Sequence, residues 1–300
     1  MYKQLLAILI FMSCLGASKA VFFNDGSSFA KYLEKSKQLT MIHEEEVQNT
    51  MESHLFGDGL DNVELEEIPN AVKRQSVADN YFFIDKCLAL LLVIFSTMVI
   101  FPKLADSTFK FGLLFISLWF ISQSFAMMMT GGKRFSELAI PGHAARWGLP
   151  VILFLVILVK DQAAEWSARV FASLTFFVHG WEAWCLNPPF QDLLFNFFGH
   201  FNYTPSSRFI AMILHTVGVM DICLAVGILL IKSSKIYMWM AFWGFVTAFS
   251  RPLTLGFGAW SEFAIRAANG GIPLWLFLSC FKMEENQIER YEKMEKAREA

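Results

Sequence analysis

From residue 81 to residue 281 the chain is a succession of apolar runs separated by short polar breaks. Seven runs stand out, at 82–101, 111–130, 147–160, 168–186, 209–231, 236–250 and 260–281. A helix needs about 20 apolar residues to cross a hydrocarbon core ~30 Å thick. The third run is short for this and reaches spanning length by tilting or by starting near Ala144. The pattern predicts an all-α fold, a polytopic membrane bundle of about seven transmembrane helices over 81–283.

Two segments of different character come first. Residues 1–20 read as a cleaved signal peptide, with Lys3 in the n-region, Leu5 to Leu15 as the apolar stretch and Ser18-Lys19-Ala20 as a small-x-Ala site. A lipoprotein signal modified at Cys14 and an uncleaved first helix are the alternatives. Residues 21–80 are polar and acidic. Within them Phe29, Tyr32, Leu33, Leu39, Ile42, Val47, Met51 and Leu55 recur at helical spacing, which predicts one amphipathic helix ended by Gly57-Asp58-Gly59. This segment is too short and polar for a large core. It is expected to lie on the membrane domain or to dock a second protein. After the bundle, residues 284–300 mix Glu with Lys and Arg and form a charged helical tail.

Charge sets the orientation. With residue 21 outside, seven crossings bring Lys103, Lys110, Lys160, Arg169, Lys232, Lys235, Lys282 and the basic tail to the cytoplasm. The outer loops receive Lys133, Arg134, Arg146, Arg208 and Arg251. The bias follows the positive-inside rule. The expected location is the inner or plasma membrane, N-terminus outside and C-terminus cytoplasmic. Composition agrees: charged residues make up 17% and mean hydropathy is +0.43, against about 25% charged in soluble domains. There is no basic stripe of the kind nucleic-acid binding needs. The five cysteines contain no C-x-x-C and imply no disulfide framework.

Polar residues inside these runs need a reason, because a charge at the bilayer centre costs roughly 2.5–3.5 kcal/mol. His179 and Glu182 lie one turn apart, on one face with Thr175. A rise of 1.5 Å per residue brings His215 to a similar depth, with Asp221 deeper and turned off that face. Arg251 lies near the outer end of the sixth run. Glu262, Arg266 and Asn269 share one face of the seventh, where Gly270-Gly271 and Pro273 predict a break or kink. The outer loop before the third run adds Pro141-Gly142-His143 and Arg146.

These groups predict one site in the outer half of the membrane, with His179 and Glu182 as its reactive pair. His143, Arg146, His215, Asp221, Arg251, Glu262, Arg266 and Asn269 would bind the ligand. A self-neutralising network that only pairs helices is the competing reading. A metal fits less well: the di-iron signature is Glu-x-x-His on two helices, whereas this chain has one His-x-x-Glu and neighbouring arginines. The mixture of His, Arg and acid suits a polar head on an apolar body, such as a quinone. Trp181, Trp184, Phe177 and Met127-Met128-Met129 are available to flank a ring.

Arg169 followed by Phe176-Phe177-Val178-His179-Gly180-Trp181-Glu182, then Gly218 with Asp221 and Arg251-Pro252-Leu253, resembles the motif of the DoxX/DoxD-like membrane proteins. The resemblance covers about 165–281 and implies a four-helix core. Some members are similar to the membrane subunit of thiosulfate:quinone oxidoreductases. It reaches His179, Gly180 and Asp221 and transfers no catalytic role. It implies a protein handling a lipophilic redox or small-molecule ligand. His179 would then exchange a proton, Glu182 would orient it, and Arg251 or Arg266 would hold an anionic oxygen. A transporter, favoured by the Gly-Pro interruption, and an assembly subunit docking through 21–80 are the alternatives.

Overall fold

Backbone groups in hydrocarbon have no water to bond, so each segment must satisfy its own N–H and C=O groups. The apolar runs do so as helices, and no strand occurs among the described residues. A computed structural model of the chain describes residues 2–23, 26–37, 39–40, 67–101, 108–131 and 134–299, with side chains for 2–23, 26–37, 39–40, 81–101, 110–131 and 134–280.

In chain order the helices are α1 (Tyr2–Phe23), α2 (28–37), α3 (Glu67–Ile100), α4 (Thr108–Thr130), α5 (Ala139–Gly142), α6 (Ala144–Ile157), α7 (Asp161–Trp184), α8 (Pro188–Gly199), α9 (Ser207–Leu230), α10 (Ser234–Leu255) and α11 (Trp260–Glu299). Six stretches are long and apolar enough to cross a membrane: α1, the 81–100 part of α3, the 110–130 part of α4, residues 136–157, α9 and the first half of α11. The chain is an integral membrane protein. Helices α7 and α10 have spanning length but carry more polar groups.

The third run starts earlier than its apolar stretch suggests, because the loop before it is itself helical. Pro141-Gly142 sits in α5, His143 is the junction, and Arg146 lies inside α6. The tail continues α11 to Glu299. Of the amphipathic helix predicted in 21–80, 28–37 and the helical residues 39–40 are seen. Ile42, Val47, Met51, Leu55 and the Gly57-Asp58-Gly59 stop lie outside the described residues.

Helix α11 sits in the middle, touching α1, α6, α7 and α10. Its small residues Ala264, Ala267 and Ala268 are buried, as close helix approach in a membrane requires. The predicted break in it does not occur. The helix runs unbroken through Gly270, Gly271 and Pro273, because these residues are used for contact. A Cβ on Gly270 would come within 2.8 Å of Ala241 O on α10, and one on Gly271 within 2.4 Å of Leu9 on α1. Pro273 supplies no N–H to the carbonyl of Asn269. That carbonyl lies against Gly244 of α10, whose own Cβ would be 2.7 Å away.

The segment read as a signal forms part of the core. Leu6, Leu9, Ile10 and Cys14 are buried, α1 packs between α3 and α11, and Gly16 lies on Ser261 O. Ser13 Oγ donates to Ala264 O (3.4 Å) and Ser18 Oγ to Ala89 O (3.2 Å). Lys19 Nζ donates to Gly258 O and lies over the Trp260 ring. Cleavage gains no support from this packing, since the helix continues unbroken through Ser18-Lys19-Ala20.

Helices α2 and α8 lie at one end of the bundle, called the α8 end below. The turns 158–160 and 231–233 lie at the opposite end. Helix α2 is held by its backbone. Ser27 N–H donates to Asp85 Oδ2 (2.6 Å), Phe29 N–H to Gln123 Oε1 (3.0 Å), and Ala30 N–H to Ser27 Oγ (3.2 Å) in an N-cap.

Candidate functional site

Two helix pairs frame the site, each joined through glycine. Helices α7 and α9 cross where Gly180 meets Gly218. A Cβ on Gly180 would stand 2.9 Å from Gly218 O, and one on Gly218 2.8 Å from Gly180 O. Helices α10 and α11 meet through Gly244 and Gly270. Side-chain hydrogen bonds then fix the ends. Arg169 reaches from α7 to the C-terminus of α9, donating from Nε to Ile228 O (2.7 Å) and from Nη2 to Leu229 O (2.9 Å). These are carbonyls that a helix end leaves unpaired. Thr175 Oγ1 accepts from Ala145 N–H (2.9 Å), capping the start of α6 from α7.

Between the two pairs, at the α8 end, lies a cavity of about 1060 Å3. Helix α7 contributes Thr175, Phe176, His179 and Glu182; α9 contributes Ile213, Leu214, Val217 and Asp221. Trp243, Thr247, Ser250 and Arg251 come from α10, Arg266 and Asn269 from α11. His143 and Arg146 enter from the α5–α6 junction. The roof is α8, which presents Phe190, Leu193, Leu194 and Phe197, and the mouth is flanked by Ser28, Lys31 and Arg134.

Hydrogen bonds orient both imidazoles through Nδ1. His179 Nδ1 is 3.0 Å from Glu182 Oε2. A carboxylate only accepts, so Nδ1 carries a proton, and in the neutral imidazole Nε2 is the acceptor. His143 Nδ1 is 3.0 Å from Ser124 Oγ, while that hydroxyl donates to Phe120 O at 3.0 Å. The one hydroxyl proton is used there, so His143 also donates from Nδ1 and keeps Nε2 free to accept.

The cations behave differently from one another. Arg266 is paired with Glu262 one turn earlier, and its Nη1 also donates to Glu262 O (3.1 Å). Arg146 and Arg251 make no ion pair among the described residues, and Arg146 Nε is buried without a hydrogen bond. The three guanidiniums are close enough to repel one another, and the Glu182 and Glu262 carboxylates are close enough to attract Arg146 and Arg251. Asp221 Oδ1 and Trp243 Nε1 are buried side by side without a completed hydrogen bond. Among the described residues no three His, Cys, Asp or Glu side chains come together as a metal would need.

Of the residues singled out in the sequence, His143, Arg146, His179, Glu182, Asp221, Arg251, Arg266 and Asn269 line this one cavity. Glu262, also expected to bind, does not line the cavity and meets it only through its pair with Arg266. His215 is a correction: it does not line the cavity, and its ring packs at a tilt on Trp184, centroids 4.8 Å apart, on the flank of α7 and α9. The inward face of α9 carries Leu214, Gly218, Asp221 and Ala225, and His215 is a full 100° round from Leu214. Asp221, expected off the shared face, is on it. The roof escaped notice, although Phe190, Leu193, Leu194 and Phe197 have i, i+3, i+4, i+7 spacing and Pro188-Pro189 marks a helix start. Lys31, Arg134 and Asn187 had no sequence signal. No family model matches the chain, and no curated protein or solved structure matches it.

Proposed function

We propose that the protein is a DoxX-like membrane protein that binds a lipophilic ligand carrying a polar head. The α8 end would be the outer side, as the Lys and Arg distribution implies, so the cavity would open to the outer half of the bilayer. One observation carries this reading: the charged pairs of the cluster do not connect helices. His179–Glu182 is closed within α7 and Glu262–Arg266 within α11. A network whose purpose was to tie helices together would pair across them. Instead Arg146 of α6 and Arg251 of α10 meet at a cavity with Glu182 and Glu262 near them but no ion pair of their own, an arrangement that a bound polar group completes.

A quinone fits this lining. The Arg146 and Arg251 guanidiniums offer donors to its carbonyl oxygens, the His143 and His179 Nε2 atoms accept from quinol hydroxyls, and Phe190, Phe197 and Trp243 offer ring contacts. Bound there, it would supply two-electron redox chemistry. The roles that belong to this chain are simpler. Glu182 holds His179 in one tautomer, and His179 offers a proton acceptor to the cavity.

Single and paired variants test the reading. His179→Ala and Glu182→Gln should leave folded protein in the membrane but empty the cavity of its copurifying ligand. Loss of expression in each single variant, rescued when both partners are replaced by apolar residues, would show a structural network instead.

A further inference from the structure

The walls of the cavity differ in how tightly they close. Helix α9 packs on α7 at Gly180 and Gly218, while α10 packs on α11 at Gly244 and Gly270. The consecutive helices α9 and α10 share little contact. They meet near their connecting turn, where Gly227 faces Ile236, and the cavity occupies the space between them at the α8 end. Val246 and Leu253 of α10 line this cavity, yet they are 40% and 52% exposed. The cavity therefore reaches the molecular surface along this side. That surface is apolar: Phe242 and Phe249, about one turn either side of Val246 on α10, are exposed. In an integral membrane protein such a surface meets lipid tails. Besides the mouth at Ser28, Lys31 and Arg134, the cavity thus has a lateral opening between α9 and α10, toward one leaflet.

The polar end of the cavity specifies a head. Five cationic side chains line it against two carboxylates, and with Glu262 counted the cations still lead by two. The unpaired donors are those of Arg146 and Arg251, suited to an oxyanion such as phosphate. The unpaired acceptors are the Nε2 atoms of His143 and His179, suited to hydroxyls. A neutral ring leaves the charge excess uncompensated. A phosphate ester that also carries free hydroxyls satisfies both sets.

Resting on the lipophilic-ligand reading above, we propose that the cavity takes a hydroxylated anionic phospholipid. It enters from the leaflet at the α8 end between α9 and α10. Its phosphate meets Arg146 and Arg251, its head hydroxyls meet the two histidines, and its acyl chains remain in the gap beneath α8, against Val217 and Val246. The same head chemistry occurs in free glycerol phosphate, so the source has to be tested with the ligand class.

The test uses the full chain, stripped of lipid and reconstituted in phosphatidylcholine nanodiscs with or without phosphatidylglycerol, with retained molecules read by native mass spectrometry. Parallel samples contain soluble glycerol phosphate or a short-chain quinone. Phosphatidylglycerol should be retained by the wild type in preference to phosphatidylcholine, and about tenfold less by Arg251→Gln. Arg251→Lys, which keeps the charge but loses the guanidinium fork, provides the reading if Arg251→Gln does not fold. Val246→Trp, which narrows the gap, should slow uptake of phosphatidylglycerol from the bilayer. Equal retention of phosphatidylcholine, preferential retention of the quinone, retention of glycerol phosphate alone, or unchanged uptake in Val246→Trp would each overturn the proposal. Retention of the quinone would leave the lipophilic-ligand reading standing; retention of nothing at all would remove both.

Discussion

The site depends on the α7–α9 crossing, and a single methyl group there should show it. In Gly180→Ala the new Cβ would lie 2.9 Å from Gly218 O, 3.0 Å from Asp221 Cβ and 3.0 Å from Ile222 Cγ1. Ordinary contacts begin at about 3.4 Å or more, and interiors pack too closely to absorb the overlap. Two of the three obstructing atoms belong to backbone or Cβ and have no rotamer to escape into. The helices must part by about 0.5 Å. Overpacking costs about 1–3 kcal/mol, while alanine gains up to about 1 kcal/mol over glycine in a helix. The net effect is a loss of up to about 2 kcal/mol. Gly227→Ala on α9 is the matched control, since its Cβ would meet only Ile236 Cδ1 at 3.6 Å. It should be neutral or stabilising by up to about 1 kcal/mol. Thermal unfolding of both variants in nanodiscs measures the difference. Because Asp221 and Val217 move with α9, Gly180→Ala should also retain less ligand. Equal melting temperatures for the two variants would refute the close crossing and the cavity wall built on it.

Other perturbations address separate parts of the structure. Arg169→Leu leaves the Ile228 and Leu229 carbonyls without their charged donor and should cost about 1.5–3 kcal/mol, seen as a lower melting temperature at unchanged topology. Gly16→Val should destabilise the purified protein if α1 remains in the bundle against Ser261; an unchanged melting temperature would mean that α1 is not part of it. For orientation, a cysteine placed at residue 60 should react with an impermeant label on intact cells, whereas one at residue 290 should not. The reverse result would put the cavity in the cytoplasmic half. Phe190→Asp together with Leu194→Asp, on the inner face of α8, should lower ligand retention with little effect on the α7–α9 and α10–α11 pairs.

The spanning helices were legible because hydrocarbon imposes a length and an apolar composition at once. The polar face of α7 was legible for the same reason: His179 and Glu182 are expensive in lipid, so their spacing carried information. What failed was local. The depth of His215 came from residue rise alone, but a shift of one residue turns a side chain by 100°, and only packing shows which face of α9 meets α7. Gly270-Gly271 and Pro273 resembled a break because the sequence does not show that the Leu9 side chain of α1 and the Ala241 carbonyl of α10 press against the two glycines. Helix α8 is only 12 residues long. A search for spans of ~20 residues passes over it, even though its apolar spacing is regular. Lys31 and Arg134 reach the mouth through tertiary placement alone.

The central claim is that the cavity ringed by His143, Arg146, His179 and Arg251 holds a small molecule inside the membrane. The most direct measurement is the native mass of the full-length protein released from its own membrane without added lipid. A wild-type mass that exceeds the polypeptide by one bound molecule, lost in the Arg146→Gln variant while the melting temperature stays within a few degrees, is the result the structure predicts. A wild-type protein that emerges at its bare polypeptide mass would contradict it.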